Sequence, residues 1–171
     1  MPATATGRLV RRGDGADLLI DRQFSEPAAE MWAAVTRSER TAAWFGPWSG
    51  TAAPGNTIHV QMRFEDGEPW MDMTVEECEP PDRYVLSSSD DFGSWLMELQ
   101  VAAAPGGCRV RLIQHLDSSS VALAADTGPG WEYYLDLLVA ARSGGPRPEF
   151  DGYLELKGHY ESEVARVAGA R

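Results

Sequence analysis

The feature that most constrains this chain is the stretch from Thr127 to Arg142. Trp131, Tyr134, Leu135, Leu138 and Arg142 recur at i, i+3, i+4, i+7 spacing, with Tyr133, Leu137 and Ala140 beside them. That pattern predicts a long helix, apolar around most of its circumference. Pro129 suits its first turn, where a missing N–H leaves no bond unmade. Ser143-Gly144-Gly145-Pro146 ends it, because glycine accepts the left-handed cap and proline cannot continue the helix. A helix with this much aromatic surface needs something broad to lie against.

The residues upstream supply it, for there the apolar period changes from 3.6 to 2. Ile58, Val60, Met62 and Phe64 alternate with Thr57, His59, Gln61 and Arg63. After the turn Glu65-Asp66-Gly67-Glu68, Met71, Met73 and Val75 alternate with Asp72, Thr74 and Glu76. Pro80-Pro81-Asp82 leads into Tyr84 to Ser88, then come Trp95, Met97, Leu99 and Val101. Past Pro105-Gly106-Gly107, the row Cys108, Val110, Leu112 and Gln114 follows. Five strands with short turns read as an antiparallel meander with one face buried.

Two extended pieces, 8–12 and 16–24, flank the turn Gly13-Asp14-Gly15 ahead of the meander. Short helices are expected over 27–36 and 38–44. Beyond Pro148, the apolar residues Phe150, Tyr153, Leu154, Leu156, Tyr160 and Val164 predict another helix packed on the outside. The expected fold is α+β: a curved antiparallel sheet of about six or seven strands wrapped around a long C-terminal helix. One domain is expected over 8–145, with 146–171 a helical extension packed on it.

Composition removes several function classes. Acidic residues outnumber basic ones by 26 to 15, for a formal charge of −11, and the basic residues are scattered. That balance argues against a nucleic-acid partner, which would need a basic face. No apolar run approaches the ~20 residues of a membrane-spanning helix, and the N-terminus has no apolar signal core. No stable membrane insertion and a cytoplasmic location are therefore expected. Cys78 and Cys108 are not in metal-type spacing, and the three histidines form no ligand pattern, so no metal or other cofactor is expected. The Ser118-Ser119-Ser120 run lacks the setting of an activated nucleophile.

Strand, two short helices, meander and long aromatic helix together resemble the helix-grip, or START-like, fold. The resemblance sharpens at Phe24-Ser25-Glu26-Pro27-Ala28-Ala29-Glu30-Met31-Trp32-Ala33-Ala34-Val35, at Ala43-Trp44-Phe45-Gly46-Pro47 and at Gly130-Trp131 with Leu135 and Leu138. Those segments are similar to the activator-of-heat-shock-protein-ATPase homology group, within the SRPBCC polyketide cyclase and lipid-transport superfamily. The resemblance runs from about Asp17 to Gly145. It implies a ligand cavity between sheet and helix, and an activity that differs from member to member.

A strongly curved sheet cannot lie flush on a straight helix, so a gap is expected on physical grounds too. Met62, Phe64, Met71, Met73, Trp95, Met97 and Leu112 would line its sheet side, and Trp131, Tyr134, Leu135 and Leu138 its helix side. The same residues could instead fill a closed core. Adaptable methionines suit ligands of varied shape. The leading expectation is a non-catalytic carrier of a hydrophobic or aromatic small molecule.

An aromatase or cyclase needs one proton shuttle, and His115, with Tyr134 as donor, is the candidate should it face inward. Strand parity instead sets His115 with Arg109, Arg111 and Ile113, opposite Val110 and Leu112. Arg63, Asp72, Glu98 and Gln114 are polar candidates if bulges rotate them inward. A chaperone-ATPase co-regulator is a third expectation, from the family name alone. Trp48 and Trp70 fall outside the inward rows and leave a homodimer open.

Overall fold

The structure is a computed structural model that describes residues 2–90 and 93–169. Its strands are β1 (Arg8–Arg12), β2 (Gly15–Phe24), β3 (Trp48–Ser49), β4 (Thr57–Gln61), β5 (Trp70–Glu79), β6 (Arg83–Asp90), β7 (Gly93–Ala104) and β8 (Gly107–Leu116). They form one antiparallel sheet in the order β1-β2-β8-β7-β6-β5-β4-β3. Helices α1 (Ala28–Thr36) and α2 (Ser38–Thr41) follow β2, and α3 (Ala124–Ser143) and α4 (Lys157–Gly169) follow the sheet. This is the expected helix-grip architecture, with eight strands where about six or seven were expected. The two-residue β3 is too short to leave a periodic signal.

The register explains the two faces. Leu18, Gln114, Met97, Leu86 and Val75 lie side by side across β2, β8, β7, β6 and β5, and all face the helix. The next row runs Ile20, Leu112, Leu99, Tyr84 and Cys78. A bulge between Val75 and Glu77 puts two successive residues of β5 on the solvent side and so returns Cys78 to the inner face.

Helix α3 begins three residues earlier than its aromatic pattern suggested, because a 3-10 turn over Val121–Leu123 runs directly into it. Pro129 therefore sits beyond the first turn and costs the helix one i→i−4 bond. At the other end Gly144 takes φ 71°, and its N–H bonds back to the Ala140 carbonyl, as the glycine pair predicted. Leu135, Leu137 and Leu138 are fully buried.

The side of α3 turned to the β1–β2 edge of the sheet carries an unexpected charged centre. Glu132 is 0% exposed. Its carboxylate accepts from the N–H groups of Thr6 (2.6 Å) and Gly7 (2.9 Å), from Arg22 Nη2 (2.7 Å) and from the Tyr160 hydroxyl. Arg22 Nε also reaches Asp136 at 3.0 Å, and the Tyr153 hydroxyl donates to Asp136 at 2.6 Å. Burial alone would raise the pKa of Glu132, but Tyr160, Arg22 and Thr6 together outweigh it and hold the group below its ordinary 4.5.

Here the two ends of the chain meet. Thr6 and Gly7 bond to Glu132 of α3, and α4 packs on the same helix with the Tyr160 ring directly on Gly128. A Cβ at position 128 would lie 2.6 Å from that ring, so only glycine admits the contact. No helix is long and apolar enough to cross a membrane, among the described residues.

Candidate ligand cleft

Between the inner face of β5–β7 and the N-terminal half of α3 lies a cleft of about 380 Å³. Met62, Met71, Met73, Trp95 and Met97 form its sheet wall, Trp131 and Tyr134 its helix wall, and Phe45 its inner end. Each comes from an identifiable local cause. Met71, Met73 and Met97 follow strand parity, Met62 lies just past the end of β4, and Trp131 and Tyr134 share one face of α3. Phe45 is held in the loop after α2 against Trp44 and edge-on to Tyr134, 5.4 Å between centroids. Behind Phe45, Met97 and Trp131 is a smaller cavity of about 50 Å³, lined also by Leu86, Leu99, Leu112 and Tyr84.

Gln114 is 2% exposed and anchors the helix wall. Its Oε1 accepts from Thr127 Oγ1 (2.7 Å) and Trp131 Nε1 (3.1 Å), which sets the Trp131 indole across the cleft. The Tyr134 hydroxyl donates to Glu65 Oε1 at 2.8 Å. Burial first, and the Glu65 charge second, push the Tyr134 pKa far up, so its proton stays in place. Ser88, Asp126 and Thr127 complete the polar part of the lining. Tyr84, 4% exposed, has a hydroxyl with no partner among the described residues, and burial pushes its pKa up to about 12.

Of the residues expected at the site, the structure brings Met62, Met71, Met73, Trp95, Met97, Trp131 and Tyr134 together in the cleft. Leu112 lines the smaller cavity. Phe64 does not take part: β4 ends at Gln61, the chain turns there, and Phe64 lies under the Arg147 guanidinium, 4.5 Å from its centroid. Leu135 and Leu138 are fully buried core and do not line the cleft. Phe45, Glu65, Ser88, Asp126, Thr127 and Gly130 were missed. The Glu65-Asp66-Gly67-Glu68 segment read only as a hairpin turn, and nothing in its period shows that it folds back over Tyr134.

His115 lies on the outer face, opposite the cleft. Its Nδ1 is 2.8 Å from Asp17 Oδ1 and its Nε2 3.3 Å from Glu98 Oε1. The pairing of β8 with β2 and β7 is unbroken, so no bulge turns the imidazole inward, and it cannot serve as a base in the cleft. Glu98 is likewise on the outer face, 4% exposed. Burial would raise its pKa, but hydrogen bonds from Arg83, Gln100 and His115 together lower it. Asp72 pairs with His59 and Arg63 is exposed, so of the four polar candidates Gln114 alone faces the helix. Trp48 is pinned by its Nε1 on the Thr36 carbonyl at 3.0 Å, whereas Trp70 is 61% exposed. No cluster of His, Cys, Asp and Glu is arranged to hold a metal, among the described residues.

Solved structures of the same shape are known. The crystal structure of CalU16 from Micromonospora echinospora has a TM-score of 0.75 at 22% identity, covering 96% of this chain and 99% of that one. EF2215 from Enterococcus faecalis, a conserved protein of unknown function, gives 0.72 at 12% identity, over 95% and 91% of the two chains. DynU16, described as a protein of the dynemicin biosynthetic locus, gives 0.66 at 22% identity, over 81% of this chain and 51% of that one. At these identities the likeness establishes the fold. Among curated proteins, none matches the sequence. Residues 25–142 match the model of one family, and the chain accordingly belongs to the Activator of Hsp90 ATPase homolog 1-like proteins, within the START-like superfamily.

Proposed function

We propose that the protein binds a hydrophobic or aromatic small molecule in the cleft between β5–β7 and α3, without transforming it. The observation that carries this reading is the lining itself: about 380 Å³ walled by four methionines, two tryptophans and Phe45, with few polar groups. Pockets that hold drug-sized ligands have this size and this ratio of apolar wall to placed polar groups. The methionine side chains let one cleft adapt to several shapes. In the same reading residues 8–145 act as the ligand-binding unit, 146–171 extend it, and the protein works in the cytoplasm.

A cyclase would have to run on Tyr134 and Glu65, because His115 is across the sheet. Tyr134, whose proton is held by burial and by a neighbouring carboxylate, is a hydrogen-bond donor and a poor base. That favours binding over turnover.

Native mass spectrometry of the freshly purified protein, compared with its denatured mass, tests the reading. An added mass of a few hundred daltons, lost on denaturation, is the expected result. A protein that takes up no aromatic probe at any concentration would overturn it.

A further inference from the structure

The polar groups of the cleft have one sign. Glu65 and Asp126 are its charged lining residues, and no Lys, Arg or His lines it among the described residues. The two carboxylates are not equally engaged. Asp126 Oδ1 accepts from Lys157 Nζ at 2.9 Å, outside the cleft. Glu65 Oε1 accepts from Tyr134, while Glu65 Oε2 accepts from nothing among the described residues. Ser88 adds a hydroxyl with no partner among them. The deep wall is apolar and the remaining polar atoms are chiefly acceptors.

We infer that the cleft selects aromatic ligands whose polar end donates hydrogen bonds, and rejects the carboxylate of the same skeleton, with Glu65 as the discriminating residue. This rests on the reading of the cleft as a ligand site. A hydroxyl or ammonium group beside Glu65 Oε2 gains a charge-assisted hydrogen bond. An anionic group there meets the negative charge of Glu65, at the exposed mouth of the cleft, and finds no cation among the described lining residues. The overall charge of −11 acts in the same direction at long range.

The test uses three fluorescent probes on one ring system: pyrenemethanol, pyrenemethylammonium and pyrenecarboxylate. The first two are expected to bind, and the carboxylate about tenfold more weakly at low salt, the scale for like charges several ångströms apart near a protein surface. The gap should narrow as added salt screens the repulsion. Glu65→Gln keeps an acceptor for Tyr134 and removes the charge. It should tighten the carboxylate about tenfold, weaken the ammonium most and weaken pyrenemethanol to a smaller extent, with an unaltered circular dichroism spectrum. The ratio of ammonium to methanol binding separates a charge preference from simple hydrogen-bond donation, and either preference supports the inference. Equal binding of all three probes, or a carboxylate penalty that survives Glu65→Gln, overturns the selectivity while leaving the cleft a binding site. Binding of none overturns both.

Discussion

The two faces of α3 are made from the same helix and behave oppositely. Towards the sheet it offers Trp131 and Tyr134 to an apolar hollow, where Glu65 and Ser88 retain unused hydrogen-bonding capacity. Towards the chain ends it offers Glu132 to a packed centre, where five donors, the Thr6 hydroxyl among them, converge on one carboxylate and Arg22 neutralises it. A buried polar group that is fully paired is structural; it holds residues 2–7 and α4 in place and has nothing left for a ligand. A cleft with spare polar atoms and no filling side chain is where a ligand adds what the protein lacks. The location of the strongest electrostatics thus differs from the location of the proposed site.

Five substitutions, one of them read by a pH titration, bear on that contrast. Glu132→Ala should have the largest effect, about 3–5 kcal/mol, because it takes this acceptor from Arg22 and from four further donors. Urea denaturation would show it, and a loss under about 1 kcal/mol would mean the centre is dispensable. Gly128→Ala should cost about 1–3 kcal/mol by pushing the Tyr160 ring off α3. Tyr160→Phe, which removes only the hydroxyl, should cost about 1–2 kcal/mol.

Gly130→Leu should do the reverse. Two residues along the same helix, a Cβ at position 130 meets nothing within 4 Å, and the residue borders the cleft. Losing a helical glycine should stabilise the protein by up to about 1 kcal/mol, while the leucine occupies the cleft and abolishes uptake of pyrenemethanol. Retained binding in Gly130→Leu would move the ligand site elsewhere. The smallest effect is the pH dependence carried by Glu132. Its folded pKa is depressed, so its contribution is full above about 4.5 and is lost as pH falls through the lower folded value. In Glu132→Gln the acid limb of the stability curve should be shallower than in the wild type.

Much of this could be read from the chain. Alternation in β5, β7 and β8 assigned Met71, Met73, Met97 and Leu112 to the inner face, and the same parity assigned His115 to the outer one. The helix stop at Gly144 was legible because only a few residues tolerate a left-handed cap. Glu132, by contrast, carries no mark in the sequence pattern. Its partners Thr6, Arg22 and Tyr160 are 126, 110 and 28 residues away, and no local pattern joins them.

The sequence by itself determined the periods: where strands alternate, where helices run and stop, and hence the class of fold. Tertiary structure alone decided which apolar residues line space and which fill it. Leu135 and Trp131 share one stripe of α3, yet Leu135 is packed core and Trp131 a wall of the cleft. The reason is physical. Period follows from the geometry of one element, whereas a void is the mismatch between two surfaces that approach only after the chain has folded.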